Sequence, residues 1–217
     1  MSKTYGWSGL YPGNIKVAWK TKSICRALLY ESCDITGQGN TKNGETLRFY
    51  HNKRNHTNFK NTEFREKSIL IMNEFYDYMS SDIQMWPMFG TLLGIVRSND
   101  LIPHDDDVDF GYFKKDEAKV IEKLDILHNQ GDFKVIRNEF NNLYTIYKDD
   151  VFIDMYEYEV LDNDHLVKQG HRAAYDITKD ELYPMKKISF KGKEFDCMAN
   201  PIKFFERYYG KDWQTPK

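Results

Sequence analysis

Four aspartates, Asp105, Asp106, Asp107 and Asp109, fall within five positions, directly against the strand-forming run Val108-Asp109-Phe110-Gly111-Tyr112-Phe113. The run is rich in β-branched and aromatic residues, which predicts a strand. Residues two apart on a strand share a face, so Asp107 and Asp109 point one way while Val108 and Phe110 face the core. Asp105 joins the acidic face if the extended conformation reaches back that far, and Asp106 then projects to the other side. Charges of one sign this close repel unless something positive sits among them. A hard divalent cation is the simplest candidate, because Mg²⁺ takes one or two carboxylates together with substrate phosphates. A D-x-D pair on one strand face can bridge metal to phosphate oxygens and neutralise charge as a phosphoryl group transfers. The ordinary account of three consecutive aspartates is a solvated turn. An apolar strand behind the run and a small-residue turn ahead of it argue against that account.

The turn ahead is Gly90-Thr91. Residues Ile83 to Phe89 form an apolar segment expected to be extended, and Pro87 predicts an edge or irregular strand. Gly90 is expected to end that strand and Leu92 to Arg97 to form a short helix. A glycine at such a junction lets backbone N–H groups approach an anion, which the helix N-terminus also favours. Thr91 either adds a hydroxyl or caps the helix. Arg97 either compensates the helix dipole or clamps a phosphate.

Elsewhere the periodicity mixes helices and strands without regular β-α-β alternation, which points to an α+β fold. Ile15 to Cys33 carries a loosely helical pattern. Gly37 to Asn61 is polar and rich in Asn, Gly and Lys, as expected of a loop. Phe64 to Ser81 predicts an amphipathic helix with Ile69, Met72, Tyr76 and Met79 inward. Lys114 to Gln130 predicts a second, with Ala118, Ile121 and Leu124 on one face and Gly131 as its stop. Phe133 to Val167 alternates like an antiparallel meander. Ile188 to Phe195 forms a hairpin about Lys191-Gly192-Lys193, and Asn200-Pro201 opens a last helix that Gly210 ends.

The net charge is −2, with 31 Lys and Arg against 33 Asp and Glu. This balance offers no global field for nucleic acid. No stretch is long and apolar enough to span a bilayer, and the start lacks the charged-then-apolar pattern of a cleaved leader. Cys25, Cys33 and Cys197 form no C-x-x-C, and a reduced, cytoplasmic setting fits them.

Gly90-Thr91-Leu92-Leu93-Gly94-Ile95-Val96-Arg97, followed by Ile102-Pro103-His104-Asp105-Asp106-Asp107-Val108-Asp109, resembles the signature of the LicD/fukutin family. These are nucleotidyltransferase-fold enzymes that move a phospho-alcohol from a cytidine diphosphate donor. Leu182-Tyr183-Pro184, Phe190-Lys191-Gly192, Asn200-Pro201 and Tyr208-Tyr209-Gly210-Lys211-Asp212-Trp213 resemble the family's closing region in the same order. His104 stands where the family commonly has tryptophan, so whatever that indole packs against is altered. The resemblance implies a nucleotidyltransferase-like α+β fold, a mixed sheet flanked by helices. It implies a catalytic domain over residues 63–217, behind an extension, part helix and part loop, over residues 1–62. It also asks for a third carboxylate from a later strand. Asp154 offers one, inside the β-prone run Val151 to Val160, where an aspartate is costly unless paired, protonated or metal-bound.

The expected site therefore has Asp107, Asp109 and Asp154 around Mg²⁺ or Mn²⁺, with Gly90, Thr91, Arg97 and Asp105 toward the donor phosphates. A CDP-linked alcohol is the expected donor and a sugar hydroxyl the acceptor, with CMP released. Three alternatives stay open: a nucleotidyltransferase attacking a nucleoside triphosphate, a D-x-D glycosyltransferase, and a catalytically silent glycan- or protein-binding module. His171, Arg172 and the lysines at 186, 187 and 191 are weaker candidates for anion contacts.

Overall fold

The computed structural model describes residues 57–130, 133–138, 143–161, 167–168 and 176–216, with the short strands at 16–18, 34–40 and 46–51. The helical pattern over Ile15 to Cys33, the turn at Asp162 to Asp164, Cys25, Cys33, Gly131, His171 and Arg172 lie outside the described residues, apart from one short strand. That strand is β1 (Lys16–Ala18), where a helix was expected. The polar segment expected as a loop contributes β2 (Asp34–Asn40) and β3 (Thr46–His51), paired antiparallel. Gly37 and Gly39 break any apolar alternation in β2, so its pairing leaves no period to read.

The sheet is built from β4 (Met85–Pro87), β5 (Asp107–Phe113), β6 (Lys134–Asn138), β7 (Leu143–Lys148), β8 (Val151–Val160) and β9 (Val167–Lys168), with β1 at one edge. Its order is β1-β6-β7-β8-β5-β4, with β9 added to β8. The β1–β6 and β5–β8 pairs are parallel and the others antiparallel, so the sheet is mixed. Pro87 lies in the edge strand β4, where a missing N–H costs no ladder bond. The alternation over 133–167 forms the expected antiparallel run β6-β7-β8-β9.

Period-two alternation sorts the strands between two hydrophobic layers. Val108, Phe110 and Tyr112 of β5 and Ile153 and Met155 of β8 face the first layer. Helix α1 (Thr62–Ser80) covers it with Phe64, Ile71, Met72, Phe75, Tyr76 and Met79, while Ile69 is only partly buried. The Asn61 side chain caps α1 by accepting from Phe64 N at 2.9 Å. Helix α2 (Phe89–Ser98) lies on the other side, where Leu92 and Leu93 pack with Tyr156 and Tyr158. Helix α3 (Glu117–Gln130) buries Val120, Leu124 and Leu127, leaving Ala118 exposed. The inward face is thus rotated from the expected one. A 3-10 turn at Lys114–Asp116 precedes the helix and resets its start.

On the second face β5 carries Asp107, Asp109, Gly111 and Phe113. Gly111 is bare because the Trp86 indole lies against it: an added Cβ would stand 2.7 Å from Trp86 Cε2. The closing elements are a short helix α4 (Lys179–Leu182), the hairpin β10 (Lys186–Phe190) and β11 (Lys193–Cys197), and helix α5 (Pro201–Tyr209). The hairpin and the Asn200-capped, Gly210-terminated helix match the sequence expectation. Burial pushes the Cys197 thiol up to about 11, so it is a packing residue and a poor nucleophile.

Glu181 is fully buried and accepts from Arg207 Nε at 3.0 Å and Nη2 at 2.8 Å. Its carboxylate also accepts from Thr178 N, closing a capping box on α4. Arg207 Nη2 donates to the Asp176 carbonyl at 2.6 Å. This clamp seats α5 against α4, and so fixes the part of α5 that reaches the acidic face.

Candidate functional site

Parallel pairing of β5 with β8 sets Asp109 directly opposite Asp154. Asp107 projects from the same face of β5 two residues earlier. One carboxylate oxygen from each of Asp107, Asp109 and Asp154 lies within 4.8 Å of the others. Their exposures are 4%, 5% and 0%. The sheet thus brings together the three carboxylates that the sequence reading joined.

The surroundings show how the trio is held. Thr145, opposite Asp154 on β7, donates its hydroxyl to Asp154 Oδ1 at 2.6 Å. Asp109 N donates to Thr91 Oγ1 at 2.8 Å, and Met88 N donates to the Asp109 carbonyl at 2.9 Å. The last two bonds pin β5 beside α2. Burial, and then the negative charge of Asp109, pushes the Tyr158 phenol well above its usual range. Tyr209 is raised for the same reasons in the same order, with Asp105 adding to the effect and Arg97 opposing it. Both phenols therefore stay neutral donors beside the acidic cluster.

Several expectations need correction. Helix α2 begins at Phe89, so Gly90 sits in its first turn and not at the end of a strand. The left-handed residue at the junction is Phe89, with φ 44°, its ring lodged against Tyr156, Phe204 and Tyr208. An added Cβ at Gly90 would stand 2.0 Å from Asp105 Oδ2, so a side chain there would push that carboxylate aside. Thr91 is 1% exposed and neither caps α2 nor opens to solvent; its hydroxyl braces β5. Asp106 does not stand apart, since one of its carboxylate oxygens lies within 4.8 Å of oxygens of Asp105 and Asp107. The chain is still turning there, with β5 beginning only at Asp107, so strand alternation does not govern it.

Asp105 and Arg97 meet at a cleft of about 290 Å³ beside the trio, whose lining includes Gly90, His104, Tyr209 and Trp213. Arg97 Nη1 donates to the Trp213 carbonyl at 3.1 Å, which ties α2 to the turn after α5. His104 is exposed at this cleft. Lys187 pairs with Asp196, and Lys191 stands 4.0 Å from Asp100. The roles of Thr145, Tyr158 and the Glu181–Arg207 clamp were not foreseen. A threonine at an inward position of an alternating strand was the only signal for the first.

The donor set fits a hard cation. It is all oxygen, buried, and of one charge, and an ion with metal–oxygen bonds of about 2.0–2.6 Å can reach groups spaced like these. Three ionised carboxylates at such range repel strongly in a low-dielectric setting, and a cation among them removes that cost.

The family model described as LicD/FKTN/FKRP, nucleotidyltransferase domain, matches residues 82–200. This is narrower than residues 63–217, the catalytic domain that the resemblance implies. Among curated proteins, the uncharacterized protein RP689 of Rickettsia prowazekii (strain Madrid E) is 29% identical over 143 residues, covering 64% of this chain and 52% of its own length. The uncharacterized protein RT0683 of Rickettsia typhi (strain ATCC VR-144 / Wilmington) is also 29% identical over 143 residues, covering 64% and 44%. The chain spans about half the length of the curated relatives it matches. Among solved structures, the lincosamide antibiotic adenylyltransferase LnuA with lincomycin bound has a TM-score of 0.46 at 12% identity, over 69% of this chain and 98% of that one. ANT(2")-Ia in complex with adenylyl-2"-tobramycin has a TM-score of 0.44 at 14% identity, over 68% and 78%.

Proposed function

The chain belongs to the LicD/FKTN/FKRP nucleotidyltransferase-domain family, and from that premise we propose that it is a metal-dependent phosphotransferase using a CDP-linked alcohol. The observation that carries the reading is the buried trio Asp107, Asp109 and Asp154, with oxygens within 4.8 Å of one another. These residues would hold Mg²⁺ or Mn²⁺, which when bound neutralises charge on the donor's phosphate oxygens. The chain's own groups do the positioning. Thr145 orients the Asp154 carboxylate, and Thr91 fixes β5 at Asp109. Positive character toward the donor comes from the N-terminal first turn of α2. A hydroxyl, read as one on a sugar, attacks the distal phosphorus in line; its proton passes to the acidic trio, with Asp154 as the base, the bond to the bridging oxygen breaks, and CMP leaves. Such chemistry rests on alignment and charge stabilisation with little covalent participation by the protein.

A thermal-shift panel tests the donor. CDP-choline, CDP-ethanolamine, CDP-glycerol and CDP-ribitol are compared with CTP and ATP, each with Mg²⁺ and with EDTA. One CDP-alcohol should raise the melting temperature only with Mg²⁺, since a ligand at 100 times its Kd adds ~2.7 kcal/mol to the native state. The same ligand should then yield CMP in the presence of acceptor. Stabilisation by CTP or ATP alone, with pyrophosphate as product, replaces the reading with a nucleotidyltransferase.

A further inference from the structure

We propose that the cleft between α2 and the turn after α5 is the subsite for the acceptor, and that it takes a single uncharged sugar ring. This rests on the phosphotransferase reading and says where its second substrate binds. The size argues first. At about 290 Å³ the cleft lies just under the ~300–1,000 Å³ range of small-molecule pockets, a size that suits one sugar ring.

Charge argues next. The cleft contains the Asp105 carboxylate, which repels phosphate and accepts from hydroxyl groups. Arg97 supplies donors, and Tyr208 and Tyr209 supply hydroxyls that both donate and accept. Their rings and that of Trp213 give the apolar surface on which a sugar face packs. Burial, with the nearby carboxylates, keeps the Tyr209 phenol protonated and so able to donate.

Connection to the chemistry comes through Asp105. It lines the cleft, and one of its carboxylate oxygens lies within 4.8 Å of one on Asp107. A ring hydroxyl bonded to Asp105 is therefore delivered to the edge of the acidic trio. The far wall, Tyr208, Tyr209, Trp213 and Thr215, lies beyond residues 82–200, outside the stretch matched to the family.

The test uses the full chain with Mg²⁺ and two kinds of probe. Methyl glycosides of glucose, galactose and N-acetylglucosamine are followed by saturation-transfer NMR, and CMP by calorimetry. Thr215 is exposed at the cleft, so Thr215→Trp fills the opening without touching the core; His104→Ala, also exposed, serves as a milder second variant. At least one glycoside should bind the unaltered protein, and Thr215→Trp should weaken it by about tenfold while CMP affinity stays within about twofold. His104→Ala should move glycoside affinity in the same direction. Binding by no glycoside, or glycoside binding that ignores Thr215→Trp, overturns the proposal. Loss of CMP binding in Thr215→Trp also overturns it, by giving the cleft to the nucleoside. Failure of CMP to bind the unaltered protein counts against the phosphotransferase reading, while the glycoside result still decides the cleft.

Discussion

Asp107→Asn should lower turnover by roughly 10³-fold, about 4 kcal/mol of transition-state stabilisation, and should at the same time make the metal-free protein more heat-stable. The opposite signs come from one cause. Asp107 belongs to both acidic groups, Asp105-Asp106-Asp107 and Asp107-Asp109-Asp154, and is 4% exposed. Without a cation its charge stands against those of its neighbours, and the amide removes that repulsion at almost constant shape. With a cation the same carboxylate is a ligand, and the amide is a poorer one. In EDTA the melting temperature should rise by about 2–4 °C, corresponding to ~1 kcal/mol in a chain of this size. In Mg²⁺ the stabilisation seen for the unaltered protein should largely vanish. Differential scanning calorimetry in both conditions, with steady-state kinetics, checks this. A variant that melts lower in EDTA and keeps its turnover would mean that Asp107 serves the fold alone.

Arg207→Met should have the largest effect on stability. Glu181 is fully buried, and Arg207 supplies two of its hydrogen bonds from a side chain 37% exposed. Removing the guanidinium leaves a buried carboxylate without its countercharge, at a cost of about 3 kcal/mol, the lower end of the range for broken buried pairs because Arg207 itself is partly in water. The melting temperature should fall by roughly 6–12 °C. Replacing both partners, Glu181→Gln with Arg207→Met, should recover about half of the loss, because no charge is then stranded. Urea denaturation of the two variants measures this. Equal losses in the single and double variants would show that the packing of the Arg207 stem, and not its charge, holds α5 in place.

How much of this was readable beforehand depends on whether a feature is local. The alternation of β5 is local, so Val108 and Phe110 inward and Asp107 with Asp109 on the other face followed from the order of residues. The hairpin about Lys191-Gly192 and the Asn200 cap are local for the same reason. The meeting of Asp109 and Asp154 is not. It needs β8 to lie parallel beside β5, and only the family resemblance pointed to it.

Thr91 was misread because its hydroxyl is claimed by a strand that follows it in the chain, an approach no helix or turn rule contains. Gly90 was assigned to a strand-to-helix junction, whereas it lies in the first turn of α2 against the Asp105 carboxylate. The face of α3 was displaced by a 3-10 turn that shifts where the helix begins. Nothing in the local sequence marks Glu181 as buried; its carboxylate is held there by Arg207 and by the Thr178 N–H.

Metal binding at the trio is the central claim, and anomalous diffraction from crystals soaked in Mn²⁺ tests it most directly. The account predicts a peak within bonding distance of Asp107, Asp109 and Asp154, about 2.0–2.6 Å from a carboxylate oxygen of each. A peak held only by other groups, or none at a concentration that supports turnover, would contradict it.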